Sequence, residues 1–239
     1  MRIVCISDTH SLHNGMLYDI PQGDILIHSG DCTNVGQQND VRDFINWFQN
    51  IQGFTHKIFI AGNHDFAFER EPTWLNLYID PLILTEHSVT YLEDNGIEIV
   101  SSEFSRPIKI YGSPWQPEFF DWAFNLPRNG DVLKSRWDDI PNDTDILITH
   151  GPPHGIRDFT PNNLQVGCEL LRERVEVLKP LLHVFGHIHG AYGVAMIGDT
   201  VFANASTCTE RYQPINKPLV FDLTENDGIF TINYIDEKN

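Results

Sequence analysis

Aspartate, histidine and asparagine recur in this 239-residue chain in small groups, and each group closes a short apolar run. Residues 2–7 lead into Asp8-Thr9-His10, and residues 24–28 into Ser29-Gly30-Asp31. Residues 57–61 lead into Gly62-Asn63-His64-Asp65, residues 145–149 into His150-Gly151-Pro152-Pro153, and residues 181–185 into Gly186-His187-Ile188-His189. Imidazole and carboxylate together suit zinc, manganese or iron. These groups are too many for one tetrahedral ion, whereas two ions sharing one carboxylate would use them well. Two divalent cations, two aspartates, a bridging hydroxide and neutral histidines leave such a site slightly positive, which favours an anionic phosphate.

Those residues need elements that bring them together. In open α/β sheets, ligands bind outside the carboxyl ends of the strands. If the five runs are parallel neighbours, one rim gathers Asp8, His10, Asp31, Asn63, His64, His150, His187 and His189. Residues two apart in an extended segment point the same way. That places Asp8 and His10 on one side, and His187 and His189 likewise. Glycines at 30, 62, 151, 186 and 190 let the backbone turn sharply and leave room beside the ions.

Further apolar runs at 97–100, 108–111, 200–203, 219–223 and 229–235 read as strands. Several runs lack alternation, as expected for strands buried on both faces. The run at 229–235 alternates and predicts one wet face. Val41, Phe44, Ile45 and Phe48 have the spacing of an amphipathic helix. A second helix is expected from Cys168 to about Leu178, stopped by Lys179-Pro180. Strands and helices alternate early and strands follow one another late, which predicts a layered α/β protein with mixed sheets. Residues 113–141, with three tryptophans, three phenylalanines and weak periodicity, read as a long structured connection. Its rings either pack a satellite core or cover the site and stack on a nucleobase.

The five motifs, in this order, are similar to those of the calcineurin-like metallophosphoesterases. Within that superfamily His28-Ser29-Gly30-Asp31-Cys32-Thr33, Thr149-His150-Gly151-Pro152-Pro153 and Phe185-Gly186-His187-Ile188-His189-Gly190 resemble the MPPED-type branch, which is like the class III cyclic nucleotide phosphodiesterases. The resemblance implies a four-layer α/β/β/α sandwich of two mixed sheets, as a single domain over 1–239. It implies one metal on Asp8, His10, Asp31 and His189, and a second on Asp31, Asn63, His150 and His187, with Asp31 as the bridge. His64 would face the phosphate and protonate the leaving oxygen. Asp65 would hold the His64 imidazole or stand behind the ligands. His154, in a loop beside a proposed ligand, is either a substrate contact or a solvated histidine. His13, His28, His56, His87 and His183 read as structural.

The implied reaction is hydrolysis of a small phosphodiester, such as a 2',3'-cyclic nucleotide, by a hydroxide that two cations generate from water. The metals and His64 would stabilise charge on the oxygens as the transition state forms. Manganese is the first expectation for the metal, with iron or zinc as alternatives. A phosphomonoesterase of the same chemistry and a non-catalytic metal-binding scaffold are the competing readings. The chain lacks HExxH, GxSxG and Walker A patterns, and Gly190-Ala191-Tyr192 after His189 breaks the metallo-β-lactamase pattern.

Composition narrows the partners. A net charge of -17 disfavours a duplex nucleic acid. No apolar stretch approaches the ~18 residues of a membrane span. The short run after Met1 does not read as a signal peptide. Four scattered cysteines, with no CxxC pair, read as reduced thiols. The expected location is the cytoplasm, and the sequence carries no signal for an oligomeric state.

Overall fold

The computed structural model describes residues 1–78 and 88–236, the side chains of 76–78 excepted. His87 lies outside the described residues. Fourteen strands, five α-helices and two short 3-10 helices are described. The first sheet has the order β14 (Ile229–Ile235), β13 (Leu219–Asn226), β1 (Arg2–Ile6), β2 (Ile25–Ser29), β3 (His56–Ile60), β4 (Val89–Tyr91). Its four strands β1 to β4 are parallel, β13 pairs antiparallel with β1, and β14 pairs antiparallel with β13. The second sheet has the order β11 (Gly193–Ile197), β12 (Thr200–Asn204), β10 (Leu182–Phe185), β9 (Ile146–Thr149), β6 (Ile108–Ser113), β5 (Asn95–Ile99). Here β12, β10, β9 and β6 are parallel, with antiparallel β11 and β5 at the edges.

The lack of alternation in the apolar runs has a direct cause. One face of each central strand packs between the sheets: Ile3 and Cys5, Ile25 and Ile27, Ile58 and Ile60 meet Ile108 and Ile110, Ile146 and Ile148, Leu182 and Val184. The opposite face packs under helices. Val4, Ile6, Leu26 and Phe59 lie beneath Val41, Phe44, Ile45 and Phe48 of α1 (Gln38–Asn50). Leu147, Phe185 and Phe202 lie beneath α4 (Asp131–Asp138) and α5 (Glu169–Leu178). The result is the four-layer α/β/β/α sandwich of two mixed sheets. The helix α5 is capped by Cys168 Sγ, which accepts from Leu171 N, and ends on left-handed Lys179 before Pro180. Burying both faces of a strand removes most of its apolar surface from water, at about 25 cal/mol per Å². The outer strand β14 keeps the predicted wet face, with Ile232 buried and its neighbours exposed.

Two expectations are corrected. The five ligand-bearing strands are not one parallel set: β1, β2 and β3 are neighbours in the first sheet, β9 and β10 in the second. The rim is therefore made by two sheets facing one another. The stretch 113–141 is more ordered than a connection. It holds the strand pair β7 (Gln116–Pro117) and β8 (Asn125–Leu126), and then α4. Its proline content hides that helix from periodicity, yet Leu133 and Trp137 are fully buried beneath the second sheet. The short helices α2 (Phe66–Arg70) and α3 (Pro72–Tyr78) and the edge strands β4 and β11 also went unread, being too short for a clear period.

Candidate metal centre

The loops after β1, β2, β3, β9 and β10 meet at the carboxyl ends of their strands. Backbone bonds lock the first two together: Asp8 N donates to Gly30 O, His10 N to Asp31 O and Ser11 N to Cys32 O. Asp65 ties the second loop to the third, accepting from Gly62 N, Thr33 N and Thr33 Oγ1 at 2.8, 2.9 and 2.7 Å. Asp8 joins the two sheets, accepting from His187 N at 3.0 Å and Ser206 Oγ at 3.0 Å.

The geometry differs from the extended alternation expected of the sequence. Asp8, His10, Asp31 and His187 all have positive φ, between 44° and 66°. For non-glycine residues this conformation is uncommon, carries strain, and clusters at functional sites. His187 and His189 accordingly diverge. His189 groups with Asp8 and His10, whereas His187 groups with Asp31 and His150. A further group joins His10, Asp31 and His64. Within each group the ligand atoms lie within 4.8 Å of one another.

Neighbouring carbonyls set the imidazole orientations. His150 Nδ1 donates to Ser29 O at 3.0 Å, which turns Nε2 toward Asn63 Oδ1 at 2.9 Å and Asp31 Oδ2 at 3.3 Å. His189 Nδ1 donates to Thr209 O, which turns Nε2 toward Asp8 Oδ1 at 3.2 Å and His10 Nε2 at 3.1 Å. Second-layer bonds of this kind orient metal-binding histidines. Burial would raise the pKa of Asp8, but the hydrogen bond and charge of His189 hold the carboxyl below its usual range. Asp31 is held well below it by His150 in the same way. Burial opposes protonation of His150, yet Asp31 brings it up to about 9. Desolvation pushes His10 down to about 4 and His187 down to about 3, so both present lone pairs at neutral pH.

These residues fit divalent cations. Two fully buried carboxylates face four imidazoles, with no Lys or Arg among the described cleft residues. Buried anions need a compensating cation. The glycines act as a cradle. A Cβ on Gly62 would stand 2.3 Å from Asp31 Oδ1, and one on Gly186 would stand 2.0 Å from Asp8 Oδ2.

The other predicted residues separate. His64 is brought to the centre, with Nε2 3.9 Å from Asp31 Oδ2 and its backbone N donating to Asp31 Oδ1 at 2.8 Å. Its Nδ1 donates to Asn34 O at 2.5 Å, and Trp122 stacks on its ring at 4.0 Å. Asp65 does not hold that imidazole, because its oxygens are taken by the loops after β2 and β3. His154 is not among the residues lining the cleft; its backbone bonds Cys168 and Arg172 instead. Of the structural histidines, His28 and His183 each pair with a threonine hydroxyl and His13 with Asp43. All four cysteines are free and buried. No described helix is long and apolar enough to cross a membrane.

The cleft, about 410 Å³, is completed by Trp122, from the aromatic stretch, and by residues that sequence reasoning missed: Glu210 and Tyr212, with Thr209 O and Ser206 behind the candidate ligands. A signal existed. Residues 200–203 form a sixth apolar run that ends in polar Asn204, and the loop beyond it carries Ser206, Thr209, Glu210 and Tyr212. The aromatic stretch divides, with Trp137 and Phe124 in the core and Phe119, Phe120 and Trp122 at the cleft.

Comparison with known proteins agrees with this arrangement. The family model of the calcineurin-like phosphoesterases matches residues 1–191. The chain belongs to that family. It is 45% identical over 234 residues to metallophosphoesterase domain-containing protein 1 of Homo sapiens, covering 93% of this chain and 71% of the relative. The protein of the same name from Mus musculus gives the same figures. Among solved structures, a phosphopantetheinyl hydrolase from Mycobacterium tuberculosis shares the fold, with a TM-score of 0.57 at 18% identity, covering 98% of this chain and 96% of that one. The strands that supply Asp8, Asp31, Asn63, His150 and His187 all fall inside the part of this calcineurin-like phosphoesterase that the family model matches.

Proposed function

We propose that this chain hydrolyses a small phosphodiester, such as a cyclic nucleotide, using two divalent ions. Asp8, His10, Asp31 and His189 would hold one, and Asp31, Asn63, His150 and His187 the other. The observation that carries this reading is the place of Asp31. It belongs to two of the ligand groups, and its Oδ2 faces both His10 at 3.8 Å and His150 at 3.3 Å. A carboxylate between two sets of imidazoles is what a ligand shared by two ions would require.

When bound, such ions lower the pKa of water and offset charge on the phosphate, which is chemistry the side chains lack. The chain's own contribution is positioning and proton transfer. With Nδ1 donating to Asn34 O, His64 presents Nε2 to the cleft, and a proton there can pass to the leaving oxygen. Trp122 restrains the ring from its face. Asp65 keeps the loops after β2 and β3 in register, so that Asp31, Asn63 and His64 arrive together; it acts as a positioning residue. A diester is preferred over a monoester because the described cleft residues include Glu210 and no Lys or Arg. A doubly charged monoester meets that carboxylate less favourably than a singly charged diester does.

The test is hydrolysis of bis-p-nitrophenyl phosphate, with p-nitrophenyl phosphate in parallel, by metal-stripped protein before and after addition of manganese, iron or zinc. Metal-dependent turnover of the diester is expected. Turnover of the monoester alone would move the reading to a phosphomonoesterase, and turnover of neither with metal bound would leave a binding protein.

A further inference from the structure

Beside the cleft, on the side of His187, lies a pocket of about 250 Å³ that shares Phe119, Thr160, His187 and Ile188 with it. Phe119, Pro152, Val166 and Ile188 make much of its wall apolar. Pockets for whole drug-sized ligands run roughly 300–1,000 Å³. This one fits a single substituent of a molecule whose phosphate sits in the cleft.

One residue of that wall holds a polar atom without a partner. Gln116 is 1% exposed, and its Oε1 accepts no hydrogen bond from any described residue. The amide orientation is set by a chain of bonds. Asn125 Nδ2 donates to the carbonyls of Phe119 and Phe120 at 3.1 and 3.0 Å, so Asn125 Oδ1 must be an acceptor. Gln116 therefore turns Nε2 toward that oxygen, at 3.2 Å, and Oε1 is the atom left over. It lies beside Gly151, 3.9 Å from where a Cβ would stand, and Gly151 also lines the pocket. Buried acceptors nearly always find a donor. The cation on the same wall does not serve, since Arg128 donates to Val166 O, Gly167 O and Glu169. Exposed Glu118 adds a second acceptor at the rim.

We propose that this pocket is a subsite for a flat substituent bearing an N–H donor, an amino-substituted ring being the simplest case, with Gln116 Oε1 accepting the N–H. The inference rests on the phosphoesterase reading for the anchoring of the phosphate next door.

Phenylphosphonate and 3-aminophenylphosphonate test it, because their carbon–phosphorus bond is not an ester and binding is read without turnover. Each is titrated calorimetrically into manganese-loaded protein whose metal content has been measured. The amino compound is expected to bind about three- to tenfold more tightly, the scale of one net hydrogen bond. Gln116→Leu should erase the difference. Equal affinities in the unaltered protein, binding of neither compound, or a preference that survives Gln116→Leu would overturn the subsite. Lack of diester turnover would strike the activity and leave this preference standing, so the two failures are distinct.

Discussion

The two sheets contribute different chemistry to one centre. The first supplies both carboxylates, Asp8 and Asp31, together with His10, Asn63 and His64; the second supplies His150, His187 and His189. Backbone strain divides unevenly as well. Three of the four left-handed ligand residues follow strands of the first sheet, and His187 alone follows the second. The first sheet thus carries the negative charge and most of the conformational cost. The second carries imidazoles, of which His150 and His189 are held by carbonyl bonds. Neither half makes a complete ligand group with both carboxylates satisfied. The ionisation of Asp8 and Asp31 depends on imidazoles that arrive only when the sheets pack.

That contrast can be broken at its hinge. Asp31→Asn should have the largest effect, lowering both metal content and turnover, because both proposed ion sites share that carboxylate. Elemental analysis with diester kinetics checks it; full metal and full rate together would remove the two-metal reading. His64→Ala should leave metal content near normal while lowering turnover about 10²–10⁴-fold, the range for a general acid. Ser206→Ala removes a bond to Asp8 that reaches across the sheets. Metal affinity should fall about 10–100-fold, the usual cost of losing such a support, as read by competition with a chelator.

The smallest effect concerns the sheets themselves. Each buries one neutral histidine on a threonine hydroxyl, His28 on Thr9 and His183 on Thr149. Burial pushes both down to about 3. The unfolded chain takes up a proton near pH 6.5 that the folded chain refuses. The stability that each neutral histidine allows is therefore fully present above about pH 6.5 and declines as pH falls toward 3. The limiting slope is about 1.4 kcal/mol per pH unit for one group. Replacing His183 by Gln should flatten the fall of Tm between pH 6.5 and 4 relative to the unaltered protein. An unchanged slope would mean that His183 is protonated in place.

Much of this was legible before folding. A fully buried strand lacks alternation because both faces are apolar, and the runs that end in Asp8, Asp31, Asn63, His150 and His187 show this plainly. The helix containing Phe44 and Phe48 has a regular period because only one of its faces is buried. Less legible was α4, whose buried Leu133 and Trp137 sit in a stretch crowded with prolines and exposed charges. Tyr212 was illegible as a cleft residue, and Trp122 was left between core and cleft, since a ring in a loop has no period that tells its side.

The sequence by itself determined the candidate ligand residues, their order along the chain and their position at strand ends, because residue types and apolar runs are local properties. Only the tertiary structure decided that two sheets rather than one build the rim, and that His187 and His189 part company. It also decided that Asn34 O rather than Asp65 holds the His64 ring. Each of these depends on φ angles and packing between segments far apart in sequence. An aspartate or histidine adopts a left-handed backbone only where the surrounding fold imposes it.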